Sequence, residues 1–354
     1  MDSLGLSSFA GKSPAAAALA MTVPSPSVEL IFAALAVVVG LVGLIFGADR
    51  FVYGASALAR RMGVSPLLVG MVIVGLGTSA PEMLVSATAS LDGAGGIAMG
   101  NVVGSNITNI GMVLGISALI KPIDLHRDIV RREMPVLLGI TAVVAILLWD
   151  LYLSRFDGCV LVALLLIFLW RTLKNGRAAG ESDGEGDDGE TTEPSAGYGR
   201  ASLWLVVGLV LLVGSSRGVV WGASTIATFL GVSDLIIGLT IVAIGTSLPE
   251  LAASAAAALK GEHAMAIGNV LGSNVFNLVA VLPFPALLAP GEVERALLVR
   301  DYSVMTIMTL LLFVFAMDFR GRNRINRVEG GLFTLSYLGY LGALIAVAVA
   351  AHQT

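Results

Sequence analysis

Charge is what this chain has least of. Asp, Glu, Lys and Arg make up 13% of its 354 residues, against about 25% in soluble proteins. The deficit comes as repeated apolar runs of about 20 residues, the length that crosses a bilayer core, and the mean hydropathy is +0.89. A single cysteine, Cys159, excludes an intrachain disulfide; lying in an apolar run, it reads as a small buried or lipid-facing residue. No basic patch with interleaved aromatics occurs, which sets nucleic acid aside as a partner, and the net charge of −4 says little about other partners. Residues 1–27 carry Lys12 as their only basic residue. They lack the positive opening of a signal peptide and read as a loose tail. The class is a polytopic, all-α membrane protein.

Apolar spans are predicted at residues 28–60, 66–91, 96–120, 130–148 and 158–173, and again at 201–230, 235–259, 264–288, 304–316 and 331–350. Five precede and five follow a linker at 174–200, whose acidic run Glu181–Glu190 lacks the spacing of a preformed calcium loop. A block of like charges of this kind is a solvated linker. The division is thus a tail at 1–27, a first unit at 28–173, the linker, and a second unit at 201–354.

The second unit repeats the first. Thr78-Ser79-Ala80-Pro81-Glu82 returns as Thr246-Ser247-Leu248-Pro249-Glu250, and Gly100-Asn101-Val102-Val103-Gly104-Ser105-Asn106 returns as Gly268-Asn269-Val270-Leu271-Gly272-Ser273-Asn274. Each matched residue lies 168 positions after its counterpart, with no net insertion between. Most Lys and Arg residues fall in one set of loops, which assigns those loops to the cytoplasm and places both termini outside, with the linker inside. An odd number of spans per copy then makes the second copy enter from the opposite side, so ten helices form two inverted five-helix repeats. Duplicated charged motifs in such a chain point to a transporter.

A carboxylate near the bilayer midplane costs at least a few kcal/mol unless paired, neutralised or wetted. Glu82 and Glu250 each sit midway along an apolar span, and two such residues in matched contexts are poorly explained as chance. Pro81 and Pro249 withhold a backbone donor and clash with the carbonyl one turn earlier, so a broken helix with freed carbonyls is expected at each site, buried in protein or lining a polar cavity. Carboxylate, Thr and Ser hydroxyls and carbonyls make an all-oxygen set suited to hard cations such as Ca²⁺ and Na⁺; without His or Cys it does not suit zinc or copper. In the following span Asn101, Ser105 and Asn109, and in the copy Asn269, Ser273 and Asn277, stack on one helix face at i, i+4, i+8. Asn106 and Asn274 lie about 100° away and read as packing or helix-to-helix hydrogen bonding. Two carboxylates balance one Ca²⁺ or two monovalent ions, a basis for exchange.

The stretches GTSAPE with GNVVGSNITN and GTSLPE with GNVLGSNVFN resemble the two α-repeats of the sodium/calcium exchanger family. The resemblance implies ten transmembrane helices in two inverted halves and an antiporter in the cell membrane that moves Ca²⁺ against Na⁺. No permanently bound cofactor, enzymatic activity or obligatory protein partner is implied. It implies that Glu82 and Glu250 are central ligands, with Thr78, Ser79, Thr246 and Ser247 beside them and Ser105, Asn109 and Ser273 at further ligand positions. Asn277 departs from the pattern, since many members carry Asp there. One negative charge fewer puts the usual stoichiometry in question, and H⁺ or K⁺ then enters as a substitute for Na⁺ or a companion to it. The long spans 28–60 and 201–230 resemble the family's sliding gate helices, with Gly54 and Gly222 permitting close approach. Asp49 and Arg50 read either as a gate ion pair or as an interfacial, snorkelling pair, and Arg217 as a snorkelling residue. His126, His263 and His352 fall in predicted loops or the tail. Outside this class, an intramembrane enzyme using the two Glu, or a passive channel, would be the competing readings; matched surroundings disfavour the first, because acid–base catalysis wants split pKa values.

Overall fold

A computed structural model describes residues 26–127, 129–182, 197–232, 237, 240–241, 243–317 and 323–352. The chain is helical apart from two short strand pairs. Helix α1 runs Pro26–Met62. A bent pair follows, α2 over Pro66–Thr78 and α3 over Ala80–Leu91, with 44° between them. Next come α4 (Gly95–Ile120), α5 (Met134–Leu147) and α6 (Arg155–Ser182). In the second unit α7 is Tyr198–Phe229, α8 Ala243–Thr246, α9 Leu248–Leu259, α10 His263–Leu288, α11 Leu297–Ala316 and α12 Arg327–His352.

Among the described residues seven helices are long and apolar enough to cross a membrane, or eight if the bent pair counts as one span. Several boundaries shift: α6 starts at Arg155 and continues to Ser182, into the expected linker, α7 starts at Tyr198, α11 at Leu297 and α12 at Arg327. The acidic run from Asp183 onward, the tail up to residue 25 and much of the expected span 235–259 lie outside the described residues.

The same local geometry recurs 168 positions apart. Gly63 (φ 60°) matches Gly231 (φ 79°), and Gly93 (φ 75°) matches Gly261 (φ 82°). Each closes a helix C-terminus in the left-handed conformation that glycine adopts without a Cβ penalty. Wider, π-type turns recur too, at Val69–Val74, at Asn109–Leu114 and Asn277–Val281, and at Ile129–Glu133 and Leu297–Tyr302. Antiparallel pairs of two-residue strands tie the copies together: β1 (Ile123–Asp124) with β4 (Arg324–Ile325), and β2 (Tyr152–Leu153) with β3 (Gly291–Glu292).

Helices α1 and α7 cross each other on glycine. A Cβ on Gly54 would lie 2.5 Å from Leu205 N, and one on its mate Gly222 would lie 2.4 Å from Ala33 O. A Cβ on Gly208 would lie 2.5 Å from Phe51 N, and one on its mate Gly40 would lie 2.9 Å from Ser215 O. Small residues at membrane-helix crossings let dispersion contacts form where no hydrophobic force acts between helices. By contrast, much of the outer face of α1 is exposed and apolar, including Ile31, Val39 and Ile45, as a lipid-facing surface requires. A Gly54→Val protein should lose stability by about 1–3 kcal/mol through overpacking, read as a lower thermal midpoint in detergent. Gly139→Ala, where an added Cβ meets nothing within 4 Å, should leave the midpoint unchanged.

Candidate functional site

The break between α2 and α3 falls on Ser79 (φ −79°, ψ 4°), and its mate Ser247 has the same bent backbone (φ −93°, ψ 7°). This sparsely populated region is one in which many active-site residues sit. Pro81 and Pro249 come in the first turn of the following helix, where the missing N–H is tolerated. Glu82 and Glu250 are thereby carried in the first turns of α3 and α9. The positive helix ends point at these carboxylates. Both are buried to 1% exposure.

The freed carbonyls are not equally open. Gly245 O, released by Pro249, accepts a 2.6 Å hydrogen bond from Ser216 Oγ of α7. The position matching Ser216 in the first copy is Ala48, which has no hydroxyl to offer.

Hydrogen bonds interlock the two motifs. Ser79 Oγ donates to Glu250 Oε1 (3.4 Å), and Thr78 Oγ1 donates to Asn269 Oδ1 (3.2 Å) as well as to Val74 O (3.1 Å). Ser273 Oγ reaches Gly75 O at 3.4 Å. Asn277 Nδ2 donates to Asn106 Oδ1 (3.1 Å), whose own Nδ2 donates to Asn274 O (3.3 Å). Asn106 is thus a helix-to-helix bridge, as its angular position suggested. Thr78, Ser79, Ser247 and Ser273 are fully buried, Asn109 and Asn277 nearly so, and Ser105 is 6% exposed. Thr246 is half-buried, unlike its mate Thr78. Among the described residues neither Ser105 nor Asn109 hydrogen-bonds to either carboxylate.

Five oxygens of these residues are buried yet partnerless among the described residues: Glu82 Oε2, Glu250 Oε2, Asn109 Oδ1, Asn277 Oδ1 and Ser247 Oγ. Buried polar atoms are almost always hydrogen-bonded, so these oxygens, and Asn274 Oδ1 with them, keep acceptor capacity that the protein leaves unused. Among the described residues no three His, Cys, Asp or Glu side chains come together. The locus offers two carboxylates and several neutral oxygens, a donor set of the kind that suits hard cations.

Asn101 and Asn269 have a different job from the one their place in the stripe suggested. Asn101 Nδ2 donates to Glu82 O (3.2 Å) and Ser86 Oγ (2.9 Å). Asn269 Nδ2 donates to Glu250 O (3.2 Å) and Ser254 Oγ (2.8 Å). Each asparagine clamps the backbone of the glutamate in its own copy. Ser86 and Ser254 also sit 168 positions apart, a signal that the aligned copies already carried. The π-type turns that begin at Asn109 and Asn277 had no sequence signal beyond the asparagines themselves; such turns are frequent at functional sites.

The chain matches the sodium/calcium exchanger protein family over residues 32–174 and 200–346. It is 39% identical to the inner membrane protein YrbG of Escherichia coli, covering 89% of this chain and 97% of that protein. It is 30% identical to the sodium/calcium exchanger MaX1 of Methanosarcina acetivorans, covering 88% and 98%. Its fold is similar to a solved structure of the sodium–calcium exchanger NCX_Mj soaked with Na⁺ and Ca²⁺, with a TM-score of 0.77, 36% identity and coverage of 89% of this chain and 99% of that one. The chain belongs to the sodium/calcium exchanger family, whose members are ion antiporters and not enzymes.

Asn269→Ala should remove the side-chain donor to Glu250 O and Ser254 Oγ in a buried setting, while the Thr78 hydroxyl keeps Val74 O. A loss of about 1–3 kcal/mol is expected in ion-free detergent unfolding, with a smaller loss for Asn101→Ala, since Asn101 is only part-buried.

Proposed function

We propose that this chain exchanges Ca²⁺ for Na⁺ by alternating access at a site built on Glu82 and Glu250. Thr78, Ser79, Thr246, Ser247, Ser105, Asn109, Ser273 and Asn277 supply the remaining oxygens. The observation that carries the proposal is the set of buried, partnerless oxygens on two interlocked motifs. Two carboxylates take one Ca²⁺ or two monovalent ions to neutrality. A neutral site moves through an occluded form at low cost; an unneutralised buried pair does not.

In this reading residues 28–173 and 201–354 are two inverted five-helix halves. The α2–α3 pair and its α8–α9 counterpart are each one interrupted span, and α5 makes up the count with its preceding π-type turn. The linker 174–200 is cytoplasmic, the termini are external and the membrane is the cell membrane. The recurrence of glycine caps, π-type turns and asparagine clamps at a constant offset supports that symmetry. Asn277 offers a neutral Oδ1 where a carboxylate would add a charge, so fewer Na⁺ are held together than with Asp there. Na⁺ stays the counter-ion in this proposal, on the strength of the sodium/calcium exchangers that the chain resembles.

In proteoliposomes an outward Na⁺ gradient should drive ⁴⁵Ca²⁺ uptake that persists with a proton uncoupler present. Glu82→Gln and Glu250→Gln should each weaken Ca²⁺ binding about a hundredfold or more, the equivalent of ~3 kcal/mol for a broken buried charge set. Uptake that ignores the Na⁺ gradient, or survives both substitutions at full rate, would overturn the proposal. Asn277→Asp should retain exchange and raise the number of Na⁺ coupled per Ca²⁺, read from the reversal potential.

A further inference from the structure

One ion pair on α1 is present twice in the sequence, with its polarity exchanged. Asp49 of α1 is joined to Lys260, the residue that ends α9: Lys260 Nζ lies 2.8 Å from Asp49 Oδ1 and donates to Asp49 O at 2.9 Å. Arg50 beside it also pairs with Asp49, its Nε 3.7 Å from Asp49 Oδ2, while its guanidinium lies 4.7 Å from the Trp204 ring and 5.1 Å from the Phe46 ring; Lys260 at 2.8 Å is the nearer partner. Advancing Asp49 by the repeat offset gives Arg217 on α7, and moving Lys260 back by it gives Asp92 at the end of α3. Acid and base have traded places between the copies, and in each the two positions fall on a long helix and at the end of the helix that bears the site glutamate.

The two pairs are not in the same condition. Asp49–Lys260 is closed. Asp92 and Arg217 are both exposed, and neither side chain has an ion pair or hydrogen bond among the described residues. Other mated positions are also unequal: Thr78 is fully buried and Thr246 half-buried, Asn269 is buried and Asn101 half-buried. The chain is therefore caught in one of two arrangements that its own repeat makes available.

We propose that Asp49–Lys260 and Asp92–Arg217 are alternating latches, one closed in each access state, so that the exchange of states opens the first as it closes the second. This inference rests on the inverted-repeat, alternating-access reading above and adds to it the groups that set the balance between faces. Reversed polarity also serves selectivity of pairing. Asp49 and Asp92 repel each other, as do Lys260 and Arg217, so neither long helix can engage the wrong partner through an acid–acid or base–base contact. Both pairs are partly solvated, so each biases the equilibrium without freezing it.

The test uses a Cys159→Ser protein in proteoliposomes, with cysteine pairs introduced at 49/260 or at 92/217. A short bifunctional maleimide is the probe, because ion-paired side chains leave the α-carbons too far apart for a disulfide. Each pair should crosslink on its own. With all four cysteines present, molecules crosslinked at 49/260 should fail to crosslink at 92/217. Failure of the 92/217 pair to crosslink under any Na⁺ or Ca²⁺ condition, or formation of both links in one molecule, would overturn the proposal.

A second measurement needs no cysteine pair. Asp49→Asn should shift the ratio of the two access states about two- to fivefold and Asp92→Asn should shift it the opposite way, read by labelling a reporter cysteine from each face. Shifts in the same direction would overturn the proposal as well. Crosslinking and labelling report geometry, not transport. A protein with exclusive latches but no Na⁺-driven Ca²⁺ uptake would therefore sink the ion-site reading alone, while uptake without exclusive latches would sink only this one.

Discussion

Two carboxylates buried to 1% exposure in a largely apolar bundle are the constraint to which the rest of the structure answers. Each ion costs several kcal/mol to desolvate, and among the described residues no cationic side chain pairs with either. What it supplies is a set of small adjustments around the pair. The break at Ser79 and Ser247 aims a helix N-terminus at each carboxylate. Asn101 and Asn269 fix the backbone from which each glutamate hangs. Ser79 gives Glu250 one donor and leaves the second oxygen of both acids bare. Under the function proposed above, a site held this way is pre-organised and incomplete, as reversible capture of a cation requires.

Around that centre the architecture separates a packed middle from its periphery. Helix α10 is 83% buried over its most apolar window and α4 78%, whereas α1 and α7 are 22% and 17% buried. The site asparagines and serines therefore lie in the dense middle. The glycine-lined crossing of α1 and α7 lies outside it, tied to the centre by contacts such as Ser216 to Gly245 O and Lys260 to Asp49. Low burial is shared by α6 and α12, at 28% and 11%, so α1 and α7 belong to an outer set of helices around a packed centre.

Much of this was legible in the sequence because both signals involved are local. Apolar length located the helices, with starts displaced at α6, α7, α11 and α12. The constant offset located Glu82, Glu250 and their hydroxyl neighbours, and all are buried except Thr246. What the sequence concealed depends on tertiary contact. The asparagine clamps, the particular partners of Asn106 and the capture of Gly245 O by Ser216 involve residues apart in the chain. Strands of two residues such as β1 and β4 exist only because loops from different units meet. The π-type turns at Asn109 and Asn277 insert a residue without any composition that marks them. The polarity exchange between Asp49–Lys260 and Arg217–Asp92 was present in the aligned copies but carried no meaning until one pair was seen closed.

Diffraction from crystals soaked in Sr²⁺, a hard divalent ion with usable anomalous scattering, tests the central claim most directly. The account predicts an anomalous peak within coordination distance of Glu82 Oε2 and Glu250 Oε2 that is lost in Glu82→Gln crystals soaked alike. A map with no peak at that locus, or with its peak elsewhere in the bundle, would contradict it.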